Sequence, residues 1–261
     1  MVFGGCLLMI RQYFELLTYR ALAELKRDSS GMYLGMLWWV LEPVLYMLVF
    51  YVVFGVGLKK GGGDFALYLL CGLVPWKWID STVRTSSGAI IASAGLMRQL
   101  YFPKWLLPGY VILANTYKFL IIFFLLVVFL LALGVSPSAS WVWLPAVFIL
   151  NLLFVASLSL VASAFVPLIP DLRYVVSYGM TMLFFMSGIF FSVSELGEPV
   201  KSWLLWLPTV LIIDAYRSVL LYDQTPHLSA MLHILFPSLL LFAFGAFCLA
   251  RLDRYYPRVV G

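Results

Sequence analysis

The 261-residue sequence predicts an all-α integral membrane protein: six transmembrane helices, an N-terminal amphipathic interface helix, a short cytoplasmic helix after the second span and short periplasmic helices before the sixth. Three observations predict it. Hydrophobic residues make up 64% of the chain and charged residues 11%, with mean hydropathy +1.01, whereas soluble domains are roughly half apolar and about one-quarter charged. Between Lys118 and Asp171 lie 52 residues without one Asp, Glu, Lys or Arg, and a spanning helix needs only about 20 apolar residues. The basic residues, finally, gather in segments that an even number of spans leaves on one side.

The first element covers residues 6–27. Leu7, Ile10, Phe14, Leu17, Ala21 and Leu25 recur there at steps of three and four, while Arg11, Glu15, Arg20, Glu24 and Arg27 take other faces. That is the pattern of a helix lying in the membrane surface; a helix docked on a partner has the same pattern, and in neither case does it span. Spans follow near 33–57, 66–88, 106–133, 142–166, 174–193 and 229–250, the third and fourth dividing at the turn-like GVSPSAS of Gly134–Ser140. The apolar stretch from Trp203 to Leu221 is interrupted by Pro208, Asp214 and Arg217, and charge at bilayer depth is expensive. Residues 194–225 are therefore expected to form short periplasmic helices dipping into the membrane edge.

Six spans put both termini on one side. Assigning Arg11, Arg20, Lys26, Arg27, Arg98, Lys104, Arg173, Arg251, Arg254 and Arg258 to that side gives ten basic residues, against four opposite, Lys59, Lys60, Lys201 and Arg217. By the positive-inside tendency both termini are cytoplasmic. The chain reads as one transmembrane domain, 1–261, whose first span serves as its own insertion signal in place of a secretory signal peptide.

Metal chemistry is not expected: His227 and His233 are six residues apart, with no HExxH pattern and no cysteine beside them. Cys6, Cys71 and Cys248 lie far apart in apolar surroundings and read as packing residues, neither a disulfide framework nor a CxxC site. No GxxxxGK[ST] run occurs, and the GGGD of Gly61–Asp64 lacks the lysine and helix of a phosphate-binding loop. If the protein uses ATP, another chain hydrolyses it. The net charge of +5 bears on topology and not on nucleic acid.

Polar and aromatic features remain. Lys77, Asp80 and Arg84 share one helical face just after Pro75; the stripe is either a salt-bridge ladder locking neighbouring spans or the wall of a water-filled path. Glu42, directly before Pro43, is expected to pair with a cation on a neighbouring helix or to bond loosened backbone. Trp39, Tyr46, Phe50 and Phe54 form an aromatic stripe at steps of seven, four and four, suited to helix packing and equally to stacking on sugar rings. The segment ASAGLMRQLYFPKWLLP, Ala92–Pro108, is basic and cytoplasmic, with Pro103 and Pro108 ending helical runs. Its cluster of Leu96, Met97, Leu100, Tyr101 and Phe102 marks a protein contact more than a plain loop.

Taken in order, LGMLWWVLEP (Leu34–Pro43), FYVVFG (Phe50–Gly55), YLLCGLVPW (Tyr68–Trp76), GLMRQLYFPKWLLP (Gly95–Pro108), PDLRYVV (Pro170–Val176) and LPTVLIIDAYRSVLL (Leu207–Leu221) resemble the permease subunits of ABC-type exporters of O-antigen, capsule and teichoic acid polysaccharides. The resemblance runs over nearly the whole chain. It implies a homodimer in a bacterial inner (cytoplasmic) membrane, with two copies of a separate ABC ATPase beneath that hold ATP and Mg, no cofactor on this chain, and a lipid-linked polysaccharide as cargo. The channel would follow the dimer interface, with Trp39, Tyr46, Phe50, Phe54, Phe184 and Phe185 near the polymer. Carried over by position, Gly95, Leu96, Met97, Arg98, Leu100, Tyr101 and Phe102, within a coupling segment at 92–105, would dock into the ATPase cleft. The helix around Arg11–Arg27 would touch the same partner, and Asp171 and Arg173 would stand at the channel's cytoplasmic mouth. A capsule-type system would add a periplasmic adaptor.

Two rival readings stand beside this one. An exporter of small hydrophobic compounds on the same permease fold would keep the coupling segment but has no use for an extended aromatic track, and the aromatic content of 17% favours sugar. A membrane-embedded transferase should cluster acids or histidines near one leaflet, and a secondary transporter should carry inverted repeats with broken helices; neither pattern is evident.

Overall fold

The structure, a computed structural model, describes residues 2–30, 35–57, 65–99 and 101–259. Leu34, Lys59, Lys60, the GGGD run and Leu100 lie outside the described residues, as do the side chains of Cys6, Leu7, Ile10, Arg11 and Phe54. Among the described residues every regular element is helical. That follows from composition, because apolar surroundings leave backbone N–H and C=O groups no partner except one another. Several hydroxyls follow suit: Thr82, Thr116 and Ser238 each donate to the carbonyl four residues back in their own helix, at 2.6, 2.7 and 2.6 Å.

In chain order the helices are α1 (Val2–Ser30), α2 (Leu37–Phe50) with a π-helical extension over Tyr51–Gly57, α3 (Phe65–Ala92), α4 (Ala94–Gln99) and α5 (Leu106–Ala132). A 3₁₀ turn at Ala139–Trp143 leads into α6 (Leu144–Phe165); then come α7 (Leu172–Met186), α8 (Val200–Leu205), α9 (Pro208–Leu220), α10 (Leu228–Leu252) and α11 (Tyr256–Val259). Three of these segments are long and apolar enough to cross a membrane: Leu106–Ala132, Ala139–Phe165 and Leu228–Leu252. They match the expected third, fourth and sixth spans to within a few residues. Leu37–Val53 and Leu172–Met186 are shorter apolar helices.

At the centre stands α3, the most charged of the expected spans. It packs against α2, α5, α6, α7 and α9, and Leu69, Cys71, Leu73 and Ile79 are wholly buried along it. Trp78 stacks on Phe119 and Phe148, with ring centroids 4.2 and 5.2 Å away, joining α3 to α5 and α6. The tightest pairing is α6 with α10, made possible by Gly245, where an added Cβ would come within 2.9 Å of Leu160 and 3.0 Å of the Val161 nitrogen.

The N-terminal helix runs alongside α5. Tyr13 meets Trp105 edge-on at 6.1 Å, Leu17 covers Gly109, Ala21 and Leu25 pack on Ala114, and Asp28 pairs with Lys118. Both helices therefore advance in the same direction, with the inner face of α1 covered by the bundle and Phe14, Tyr19 and Leu22 exposed on its outer side. Pro108 behaves differently from the expectation that it ends a helical run. It sits in the first turn of α5, where the N–H it lacks has no partner to lose. The stretch before the last long helix is two short helices, α8 of 6 residues and α9 of 13.

Candidate functional site

A groove of about 290 Å³ opens between α2, α3 and α7, lined by Tyr46, Phe50, Trp76, Lys77, Asp80, Arg84, Thr181, Phe184 and Phe185. It brings the aromatic residues of two separate helices together with the polar stripe of a third. Tyr46 stacks on Phe50 at 6.2 Å and meets Phe184 edge-on at 6.4 Å, while Phe184 and Phe185 lie 5.2 Å apart. Tyr46 and Phe185 present open surface, 39% and 57% exposed.

The charges in the groove are compensated across helices. Lys77 Nζ donates to Glu42 Oε1 at 2.5 Å and lies 4.4 Å from the centre of the Tyr46 ring, tying α3 to α2. Arg84 Nε donates to Asp80 Oδ1 at 2.6 Å, one turn along the same helix, and its other nitrogens donate to Ser177 and, at 3.0 Å, to Thr181 on α7. So the stripe is partly a ladder within α3 and partly a set of ties to its neighbours. Aromatic faces, carboxylates, cations and hydroxyls in one lining can stack on apolar surface and exchange hydrogen bonds with hydroxyls.

Trp39 stands apart from this groove. It faces α5, with Lys118 Nζ 5.3 Å from its ring, and lines a separate pocket of about 210 Å³ with Glu42, Lys77, Asp80, Ser81 and Asn115. Lys77 and Asp80 line both cavities, and Glu42, paired with Lys77, lines the second. Asp171 and Arg173, at the start of α7, are both exposed. Trp76 and Phe190 complete the aromatic cluster and were not singled out from sequence; Trp76 lies 5.8 Å from Phe184, and Phe190 lies 4.1 Å from Phe50. The repeated FF pairs in FFMSGIFF were the available signal.

Within 92–105 the described residues form a short helix, α4, and an irregular stretch at 101–103 that turns into α5, and they divide by burial. Met97 is 7% exposed and belongs to a cluster with Ile90, Leu107, Leu160 and Tyr256, whereas Gly95, Arg98 and Tyr101 are exposed. Leu96, Tyr101 and Phe102 also line an apolar pocket of about 240 Å³ shared with Leu16, Leu17 and Arg20 of α1. The Tyr101 hydroxyl donates to Asp253 at 2.9 Å, and this hydrogen bond to a carboxylate holds its pKa above the usual tyrosine value.

Arg217, which in sequence interrupts an apolar stretch and counts among the basic residues opposite the termini, is a buried polar anchor. It is 4% exposed and donates to the carbonyls of Tyr68, Gly188 and Ile189 at 3.1, 2.8 and 2.9 Å, with its guanidinium 3.5 Å from the Tyr68 ring centre. Two glycines allow this. Gly188 takes φ +69 just beyond α7, and Gly72 leaves room where an added Cβ would lie 2.6 Å from Arg217 Nη2.

A helical bundle with three helices long and apolar enough to span, packed with a charged central helix, defines the class of an integral membrane protein. The family model of the ABC-2 type transporter matches residues 12–221, and the chain belongs to that family. It is 30% identical over 226 residues to the O-antigen export system permease protein RfbA of Myxococcus xanthus, covering 84% of this chain and 87% of that protein. It is 28% identical over 207 residues to the RfbA permease protein of Klebsiella pneumoniae, covering 79% and 80% of the two chains. The polysialic acid transport protein KpsM of Escherichia coli is 27% identical over 222 residues, covering 82% and 85%.

Proposed function

We propose that this chain is the membrane subunit of an ATP-driven exporter that moves a lipid-linked polysaccharide, of the O-antigen or capsule type, across the bacterial inner membrane. The observation that carries the reading is the groove between α2, α3 and α7, where Tyr46, Phe50, Phe184 and Phe185 meet Lys77, Asp80 and Arg84. A sugar chain crossing hydrocarbon needs stacking surface for its ring faces and partners for its hydroxyls, and both line this one surface. The O-antigen permeases and the polysialic acid transport protein to which the chain is similar support the same class of cargo.

In this reading the spans are α2 with its π-helical extension, α3, α5, α6, α7 and α10, within a single permease domain, 1–261. The charges of α3 are tolerable at depth because each meets a partner on α2, α3 or α7. With α8 and α9 too short to cross, the termini share one side, and the distribution of basic residues makes that side cytoplasmic. A second copy of the chain closes the groove into a channel, facing the exposed Tyr174, Tyr178 and Phe185 of α7. Two copies of a separate ATPase, which bind ATP and Mg, dock on the exposed residues of 92–105; a periplasmic adaptor joins in a capsule-type system. ATP binding shifts the coupling segment, and the spans move between two packings.

Affinity purification of the tagged chain in detergent, with its ATPase co-expressed, tests the assignment. Arg98→Glu reverses an exposed charge without touching the core, and is expected to abolish ATPase co-purification. Equal recovery with wild type would remove the energy source from this account.

A further inference from the structure

Resting on the assignment of Gly95–Phe102 as the coupling segment, we propose that Asp253 is a positioning residue that fastens the end of this segment to the α6–α10 pair, so that those two helices follow its movement. Asp253 stands at the C-terminal end of α10. One carboxylate oxygen accepts the Tyr101 hydroxyl at 2.9 Å, and the other accepts the backbone N–H of Lys104 at 2.7 Å. A single side chain therefore holds both ends of Tyr101–Lys104. Hydrogen bonds to an ionised acceptor are stronger than neutral ones, and these two join residues 152 and 149 positions apart.

The surroundings hold the stretch in the same place. Lys104 is wholly buried, its Nζ donating to the Phe102 carbonyl at 2.7 Å and lying 4.8 Å from the centres of both the Tyr101 and Phe102 rings. Beyond Asp253 the chain turns back as α11, which packs against α4. There Tyr256, also wholly buried, donates its hydroxyl to the Ala164 carbonyl on α6 at 3.0 Å. The C-terminal residues thus touch the coupling helix, the start of α5 and the end of α6. Because α6 and α10 are in backbone contact at Gly245, a displacement of Tyr101–Lys104 reaches both helices without passing through α3.

The test uses the full chain with its ATPase, in lipid vesicles loaded with lipid-linked polysaccharide. Asp253→Ala is expected to retain ATPase association and ATP hydrolysis while polymer moved per ATP falls roughly 2- to 30-fold. Asp253→Asn keeps one acceptor oxygen, for the Lys104 N–H, and turns an NH2 toward the Tyr101 oxygen, which can then accept; it is expected to regain part of that loss. Hydrogen exchange gives a readout independent of transport: the Lys104 amide should exchange about tenfold faster or more in Asp253→Ala, with α6 amides unchanged. If Asp253→Ala does not fold, Asp253→Asn, which weakens both bonds by removing the charge, is measured the same way, with a smaller loss of transport per ATP and a smaller gain in Lys104 exchange expected. Unchanged transport per ATP, unchanged Lys104 exchange, or loss of ATPase association together with transport overturns the proposal. Failure of the exporter reading looks different: Arg98→Glu then leaves ATPase association intact while Lys104 exchange still responds to Asp253.

Discussion

Arg217 fills a point where three carbonyl oxygens converge, and only a planar group with several fixed donors serves all three at once. Arg217→Met is expected to destabilise the protein by about 3 kcal/mol or more, since buried carbonyls left without donors each cost about 1–3 kcal/mol. Arg217→Lys should recover little, because an ammonium cannot reproduce the fork; thermal unfolding in detergent measures both. The sequence told against a span at this residue because it is charged, and said nothing of its partners. They are backbone atoms up to 149 positions away, which no local pattern encodes. Lys118 was likewise visible only as the border of a charge-free run, and its pairing with Asp28 depends on how α1 lies along α5.

At the scale of elements, periodicity located faces better than neighbours. The stripe of Lys77, Asp80 and Arg84 was legible from spacing, and so was Glu42 as a candidate for pairing; that the two meet as Glu42–Lys77 required the packing of α2 on α3. Trp39, Tyr46 and Phe50 share a stripe in sequence, yet Trp39 meets α5 while Tyr46 and Phe50 meet α7. The neighbour changes along the helix while the face does not. The α6–α10 contact was not legible, since a glycine in an apolar run does not disclose what approaches it. Gly245→Val is expected to force these helices apart at a cost of about 1–3 kcal/mol, seen as a lower midpoint of thermal unfolding. Met97 offers a contrast within residues 92–105: as a core residue, Met97→Ala should lower stability by about 2–5 kcal/mol, whereas Arg98→Glu should leave the unfolding midpoint near wild type.

For the whole molecule, the three long apolar helices were fixed by composition and length alone, and their ends agree closely with expectation. The central helix was harder to read, because its charges lower its apparent fitness for lipid until their partners on α2 and α7 are known. In the proposed exporter that helix and its groove form one half of a polysaccharide path. Its most direct test is ATP-dependent movement of lipid-linked polysaccharide by this chain and its ATPase in sealed vesicles, with Tyr46→Ala and Phe185→Ala combined. Wild type should move polymer, and the double variant should move about tenfold less, from the loss of two stacking surfaces, while still hydrolysing ATP. Movement unchanged by the two substitutions, or no movement by the wild type, would contradict the assignment of the groove as the route.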